Sequence, residues 1–115
     1  LVEDEPNVRR VIRQQLIDLG YPVIEAEDSD QALAMIEQIA DIAIVVSDVI
    51  MPGGLNGRQL AERVLAERPN MRFVLMSGYT DEAEAEDANA LPVLAKPFVR
   101  QDLARALQAA HQGKT

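Results

Sequence analysis

Apolar residues at Val8, Val11, Ile12, Leu16 and Leu19 recur at spacings of three and four, the stripe of an amphipathic helix. Pro6 suits the first turn of that helix and Gly20 its stop. Pro22, Val23 and Ile24 then make a short strand, and Ser29 is the expected N-cap of a second helix that turns Ala32, Leu33, Ile36 and Ile39 inward. The run Ile42, Ala43, Ile44, Val45, Val46 is too short for an ordinary helix and apolar on both faces, as befits a strand buried inside a parallel sheet; it ends at Ser47 and Asp48. After a loop with Met51, Pro52, Gly53, Gly54 and Gly57, a third helix is predicted from Arg58 to Glu67, burying Leu60, Val64 and Leu65. Phe73, Val74, Leu75 and Met76 form a fourth strand that stops at Ser77 and Gly78. A polar segment, Asp81 to Ala90, leads to a fifth strand at Val93, Leu94 and Ala95. The last helix, Gln101 to His111, turns Leu103, Ala106, Leu107 and Ala110 inward, and the tail from Gln112 to Thr115 is expected to fray.

Strands alternate with helices throughout, so the expected class is α/β: a parallel sheet with right-handed crossovers and helices on both faces. Only Leu1 and Val2 precede the first acidic pair, so the first strand is expected to lack its opening residues. At 115 residues the expectation is one domain. Nineteen acids against eleven bases give a net charge of −8, which disfavours direct binding to nucleic acid or to anionic membrane surfaces and points to a protein or a cation as partner. The absence of cysteine excludes disulfides, thiolate zinc sites and Cys nucleophiles. No apolar run approaches membrane-spanning length and no leader is visible, so a cytoplasmic location is expected.

In an open α/β sheet, ligands bind beyond the carboxyl ends of the strands. There the chain places Glu3 and Asp4, then Asp48, then Ser77, then Lys96 with Pro97 and Phe98. Each has an ordinary explanation: a helix cap for the acidic pair, an Asx-turn for Asp48, turn chemistry for Ser77, a solvated lysine for Lys96. Those explanations do not account for one complementary group at the end of each of four strands. Three ionised carboxylates together raise each other's pKa unless a cation is supplied. Oxygen-only ligands favour a hard ion, and Mg²⁺ fits better than zinc. One dication and Lys96 neutralise the three carboxylates, so a phosphoryl group can approach and be transferred to Asp48.

These residues resemble the response regulator receiver domain, the CheY-like module of two-component signalling, over essentially the whole chain. The motifs are VEDEP at 2–6, SDVIMPGG at 47–54, LMSGY at 75–79 and AKPF at 95–98. The resemblance implies a flavodoxin-like, doubly wound five-stranded sheet of order 2-1-3-4-5. Asp48 would accept a phosphoryl group from a phosphohistidine on a histidine kinase or histidine phosphotransfer protein. Glu3, Asp4, Asp48 and the backbone carbonyl of Ile50 would bind Mg²⁺. Ser77 and Lys96 would engage the phosphoryl oxygens, and the Lys96–Pro97 bond would be cis. The surface of the family's fourth helix, fifth strand and fifth helix would carry the output, including a homodimer contact.

Three departures from the family pattern stand out. Val93 occupies the usual aromatic switch position, the segment between Ser77 and Lys96 is short and rich in acid and alanine, and the Gly53–Gly57 loop with Ser77, Gly78 and Tyr79 is closer to receivers of hybrid histidine kinases. Ile50 and Tyr79 are expected to flank the acceptor and shield an acyl phosphate from water. His111 suits the negative end of a helix, and Met35, Met51, Met71 and Met76 fill core or loop. Two other readings compete: a receiver-like adaptor that is never phosphorylated, and an aspartyl-phosphate hydrolase. The hydrolase is disfavoured because Ile50 stands where a second Asp is needed.

Overall fold

A computed structural model describes residues 1–51, 54–78 and 93–111. Within them the elements follow as α1 (Pro6–Asp18), α2 (Ser29–Gln38), β1 (Ile44–Asp48), α3 (Gly57–Glu67), β2 (Arg72–Ser77), β3 (Val93–Ala95) and α4 (Arg100–His111). The three strands are parallel in the order β1-β2-β3, with Asp48 opposite Met76 and Ser77 opposite Ala95. Val2 adds single parallel bridges to Ala26 on one side and Ser47 on the other. The expected segment Asp81 to Ala90 and the tail from Gln112 lie outside the described residues.

Alternation along the buried strands sorts the core into two layers. Val45 and Phe73 pack with Ala32 and Ile36 of α2 and with Leu60 and Val64 of α3. Their neighbours Val46 and Val74, with Met76, pack with Ile12 and Leu16 of α1 and with Leu103 and Leu107 of α4. Both faces of the sheet are therefore covered, which is why these strands are apolar runs and not alternating ones.

Helix α1 stops where Gly20 predicts. Gly20 has φ of +96°, its N–H donates to the carbonyl of Ile17, and the N–H of Tyr21 donates to that of Leu16, the paired bonds of a Schellman ending. Its stripe is narrower than the sequence suggests: Ile12 and Leu16 are buried, whereas Val11, on the shoulder of the stripe, is 58% exposed. At α2 the cap is Asp28, whose carboxylate accepts from the N–H of Gln31; Ser29 is the first helical residue, and its buried hydroxyl accepts instead from the N–H of Leu55. The segment 22–24 forms no ladder. Among the described residues between α1 and α2, the carbonyl of Ile24 accepts from the ammonium of Leu1 and Ala26 alone forms a bridge, to Val2; an apolar cavity of about 310 Å³ is lined by Leu1, Tyr21, Val23, Ile24, Ile42 and Ile44 among others.

The lone histidine does more than complement a helix dipole. His111 stacks on Tyr21 with ring centroids 6.0 Å apart and its Nε2 3.1 Å from the tyrosine hydroxyl, tying the end of α4 to the turn after α1. Met51, Met71 and Met76 are buried, as expected of fillers.

Phe73 is 1% exposed at the centre of one layer. Phe73→Ala is expected to lower unfolding free energy by about 3–5 kcal/mol, and Val11→Ala to change it by less than about 0.5 kcal/mol. Chemical denaturation of the two variants, with unchanged m-values, checks both.

Candidate functional site

The site is assembled by backbone pairing at the carboxyl ends of the strands. The N–H of Val2 donates to Val46, the N–H of Glu3 to Ala26 and the N–H of Asp48 to the carbonyl of Val2, which lays residues 2 and 3 alongside the end of β1. The N–H of Val49 donates to Met76, and that of Lys96 to the carbonyl of Ser77, which brings in the ends of β2 and β3. Glu3, Asp48 and Ser77 are buried, and Asp4 is exposed.

Lys96 lies between two of the carboxylates, with its Nζ 2.6 Å from Oδ1 of Asp48 and 3.2 Å from Oε1 of Glu3. Glu3 also accepts from the backbone N–H of Glu5, and its own carbonyl accepts from the guanidinium of Arg9. Arg9 and Arg13 both pair with Glu25, so Arg9 ties the acidic corner to the edge of the sheet. Nothing in the motif singled out Arg9. The N-terminus of α1 is capped by Glu5, whose side chain accepts from Asn7, so Glu3 and Asp4 are not occupied as its cap.

Carboxylate oxygens of Glu3, Asp4 and Asp48 all lie within 4.8 Å of one another. One ammonium does not neutralise three such groups. Burial, with the neighbouring Glu3 carboxylate, pushes Asp48 up to about 7 despite Lys96. Burial also acts to raise Glu3, but hydrogen bonds from Asp48 and the backbone of Glu5, with the charge of Lys96, outweigh it and hold Glu3 below its ordinary range. Burial and Glu3 raise Asp4. Burial opposes the charge on Lys96, and Asp48 with Glu3 overcomes it, so its pKa is raised. An all-oxygen donor set of this kind, short of positive charge, fits a hard divalent cation.

Of the remaining candidates, Ile50 is 54% exposed just beyond Asp48. Val93 opens β3 opposite Leu75. The Lys96–Pro97 peptide is cis. Tyr79 lies outside the described residues.

The family model of the response regulator receiver domain matches residues 1–108, and the chain belongs to that family, the receivers of two-component signal transduction. It is 37% identical over 108 residues to the sensor kinase CckA of Brucella abortus, covering 90% of this chain and 11% of that protein. It is 32% identical over 116 residues to the C4-dicarboxylate transport transcriptional regulatory protein DctD of Rhizobium meliloti, covering 97% and 25%. To a CheY homolog of Campylobacter jejuni it is 30% identical, covering 94% and 87%. The chain therefore spans a minor part of the first two relatives and most of the third. Among solved structures, a response regulator receiver domain protein from Clostridium thermocellum superposes with a TM-score of 0.86 at 26% identity, covering 98% of this chain and 92% of that one. Among the described residues no helix is long and apolar enough to cross a membrane.

Because the folded-state pKa of Asp48 is raised from 3.8 to about 7, the unfolded chain releases this proton first. Its ionisation costs stability as pH climbs between those values. The lowered Glu3 works oppositely, but its contribution is already present above its ordinary 4.5 and is lost as pH falls below that. The raised Lys96 contributes stability below its ordinary 10.5, lost only at higher pH. In the metal-free protein, the gain in melting temperature of Asp48→Asn over wild type should therefore widen between about pH 4 and about pH 7 and level off above. A flat or shrinking difference in thermal melts contradicts this assignment.

Proposed function

We propose that residues 1–115 act as one receiver unit that takes a phosphoryl group onto Asp48 from a phosphohistidine on a histidine kinase or histidine phosphotransfer protein. The observation that carries this reading is Lys96, 2.6 Å from Asp48 and 3.2 Å from Glu3 at the carboxyl ends of parallel strands. In the transfer, an Asp48 carboxylate oxygen attacks phosphorus. The new O–P bond forms as the histidine N–P bond breaks, and the departing imidazole takes up a proton from solvent. Glu3, Asp4, Asp48 and the carbonyl of Ile50 would hold Mg²⁺, which when bound supplies positive charge against that of the transferring group. Lys96 supplies one further charge, and the buried Ser77 a hydroxyl donor to a phosphoryl oxygen.

The added charge on Asp48 draws in Ser77, keeps Lys96, already 2.6 Å from Asp48, engaged with the phosphoryl oxygens, and shifts the loops that follow β1 and β2. With Val93 at the switch position, the signal runs through these loops and not through an aromatic flip. On the same reading the sheet continues through Val2 and Ala26 to five strands in the order 2-1-3-4-5. The output surface is that of the family's fourth helix, fifth strand and fifth helix, acting in the cytoplasm on protein partners, a second copy included, without direct contact to nucleic acid or membrane. The domain is a signalling phosphoacceptor whose only chemistry is its own phosphorylation and dephosphorylation.

Beryllofluoride titrated with Mg²⁺ and followed by NMR tests the proposal. Saturable binding is expected in wild type, none in Asp48→Asn, and about tenfold or more weaker binding in Lys96→Ala, the scale of one charge-assisted hydrogen bond. A wild-type protein silent at millimolar ligand points instead to a constitutive adaptor, and multiple turnover of a phosphoester to a hydrolase.

A further inference from the structure

Helix α3 begins at Gly57, a residue that the chemistry above does not use. Its φ lies outside the left-handed region, so the position asks for space and not for a glycine backbone. A Cβ there would overlap the carbonyl oxygen of Asp48 and stand 2.9 Å from the carbonyl carbon of Asp48 and 2.9 Å from Cα of Val49. All three are backbone atoms, and none can swing aside as the tip of a side chain does.

Neither side of this contact is free to retreat. The N–H of Gly57 donates to the carbonyl of Val49 at 2.7 Å. The helix start is fixed by a capping box, in which Asn56 accepts from the N–H of Gln59 and Gln59 from that of Asn56. The N–H of Leu55 is held by the buried hydroxyl of Ser29. On the other side, Asp48 donates to Val2, its carbonyl accepts from Ser47 Oγ at 3.0 Å, and Val49 donates to Met76.

We infer that Gly57 is a positioning residue for Asp48: its missing side chain lets the first turn of α3 seat directly on the acceptor's peptide and set the direction in which the carboxylate leaves β1. The inference rests on reading Asp48 as the acceptor beside a divalent cation. A methyl group at Gly57 is accommodated by displacing the 48–49 peptide, which carries the Asp48 carboxylate away from Glu3, Asp4 and Lys96.

Gly20 supplies the control, because it presents the opposite situation. Its φ is +96°, so a side chain is strained, yet a Cβ there meets nothing within 4 Å. Calorimetric titration with Mg²⁺ alone should show Gly57→Ala weakened by about 10- to 100-fold, the range for residues that support metal ligands. Gly20→Ala should melt at lower temperature and keep wild-type affinity. Wild-type affinity in Gly57→Ala, or an equal loss in both variants, overturns the inference. Should Gly57→Ala fail to fold, Asn56→Ala releases the same turn without added bulk and is expected to weaken Mg²⁺ several-fold; unchanged affinity there overturns it equally. In the metal-free proteins, the ¹³Cγ resonance of Asp48 should move in Gly57→Ala and stay in Gly20→Ala. That shift is independent of the cation, so a wild type that does not bind Mg²⁺ sinks the acceptor reading and leaves the positioning role standing on this resonance alone.

Discussion

The ammonium of Lys96 lies between the carboxylates of Glu3 and Asp48, two buried like-charged groups, one from the start of the chain and one from its middle. Everything else in the fold serves to make that meeting possible. Parallel strands put all their carboxyl ends on one edge, and residues 2 and 3 reach that edge through backbone bonds to Ala26 and Val46. The register that pairs Asp48 with Met76 and Ser77 with Ala95 then delivers the lysine one residue beyond β3. Slide either pairing by one residue and the groups leave the cluster, because a single step turns a side chain to the other face.

One positive charge among three carboxylates is an unbalanced site, and the imbalance has a use. A core assembled for stability alone would not bury Asp48 at a pKa near 7. The missing charge makes the cluster a fit for a cation, and a cation held there would recover the stability forgone in its absence. Local cost concentrated at the working end of an otherwise well-packed sheet is the usual sign of function overriding packing.

Elements whose cause is local could be read from the residues alone. The apolar runs at 42–46 and 73–76 declare strands covered on both faces, and Gly20 declares the end of α1. Asp48 and Ser77 were legible too, since each closes a strand that the pattern reveals. What stayed hidden depends on what lies across the fold. Asp28 and Ser29 are both good caps, and only the N–H of Leu55, far along the chain, assigns the hydroxyl elsewhere. Residues 22–24 have strand composition but, among the described residues, only Ala26 beyond them finds a bridging partner. The Tyr21–His111 stack joins segments far apart in the chain, and the Arg9 bond to Glu3 and the fit of Gly57 against Asp48, though nearer in sequence, depend on how the chain turns between them, which no spacing announces.

The strand runs that make the core also carry a hazard before folding is complete. Short, apolar, β-prone stretches such as Ile42–Val46 and Phe73–Met76 are the kind through which unfolded chains associate. Charges flanking such runs act as gatekeepers. Here Asp41 precedes the first run and Asp48 follows it within two residues, while Arg72 precedes the second. The carboxylate that strains the finished site thus discourages aggregation of the nascent chain, so its negative charge is useful before the sheet exists as well as after.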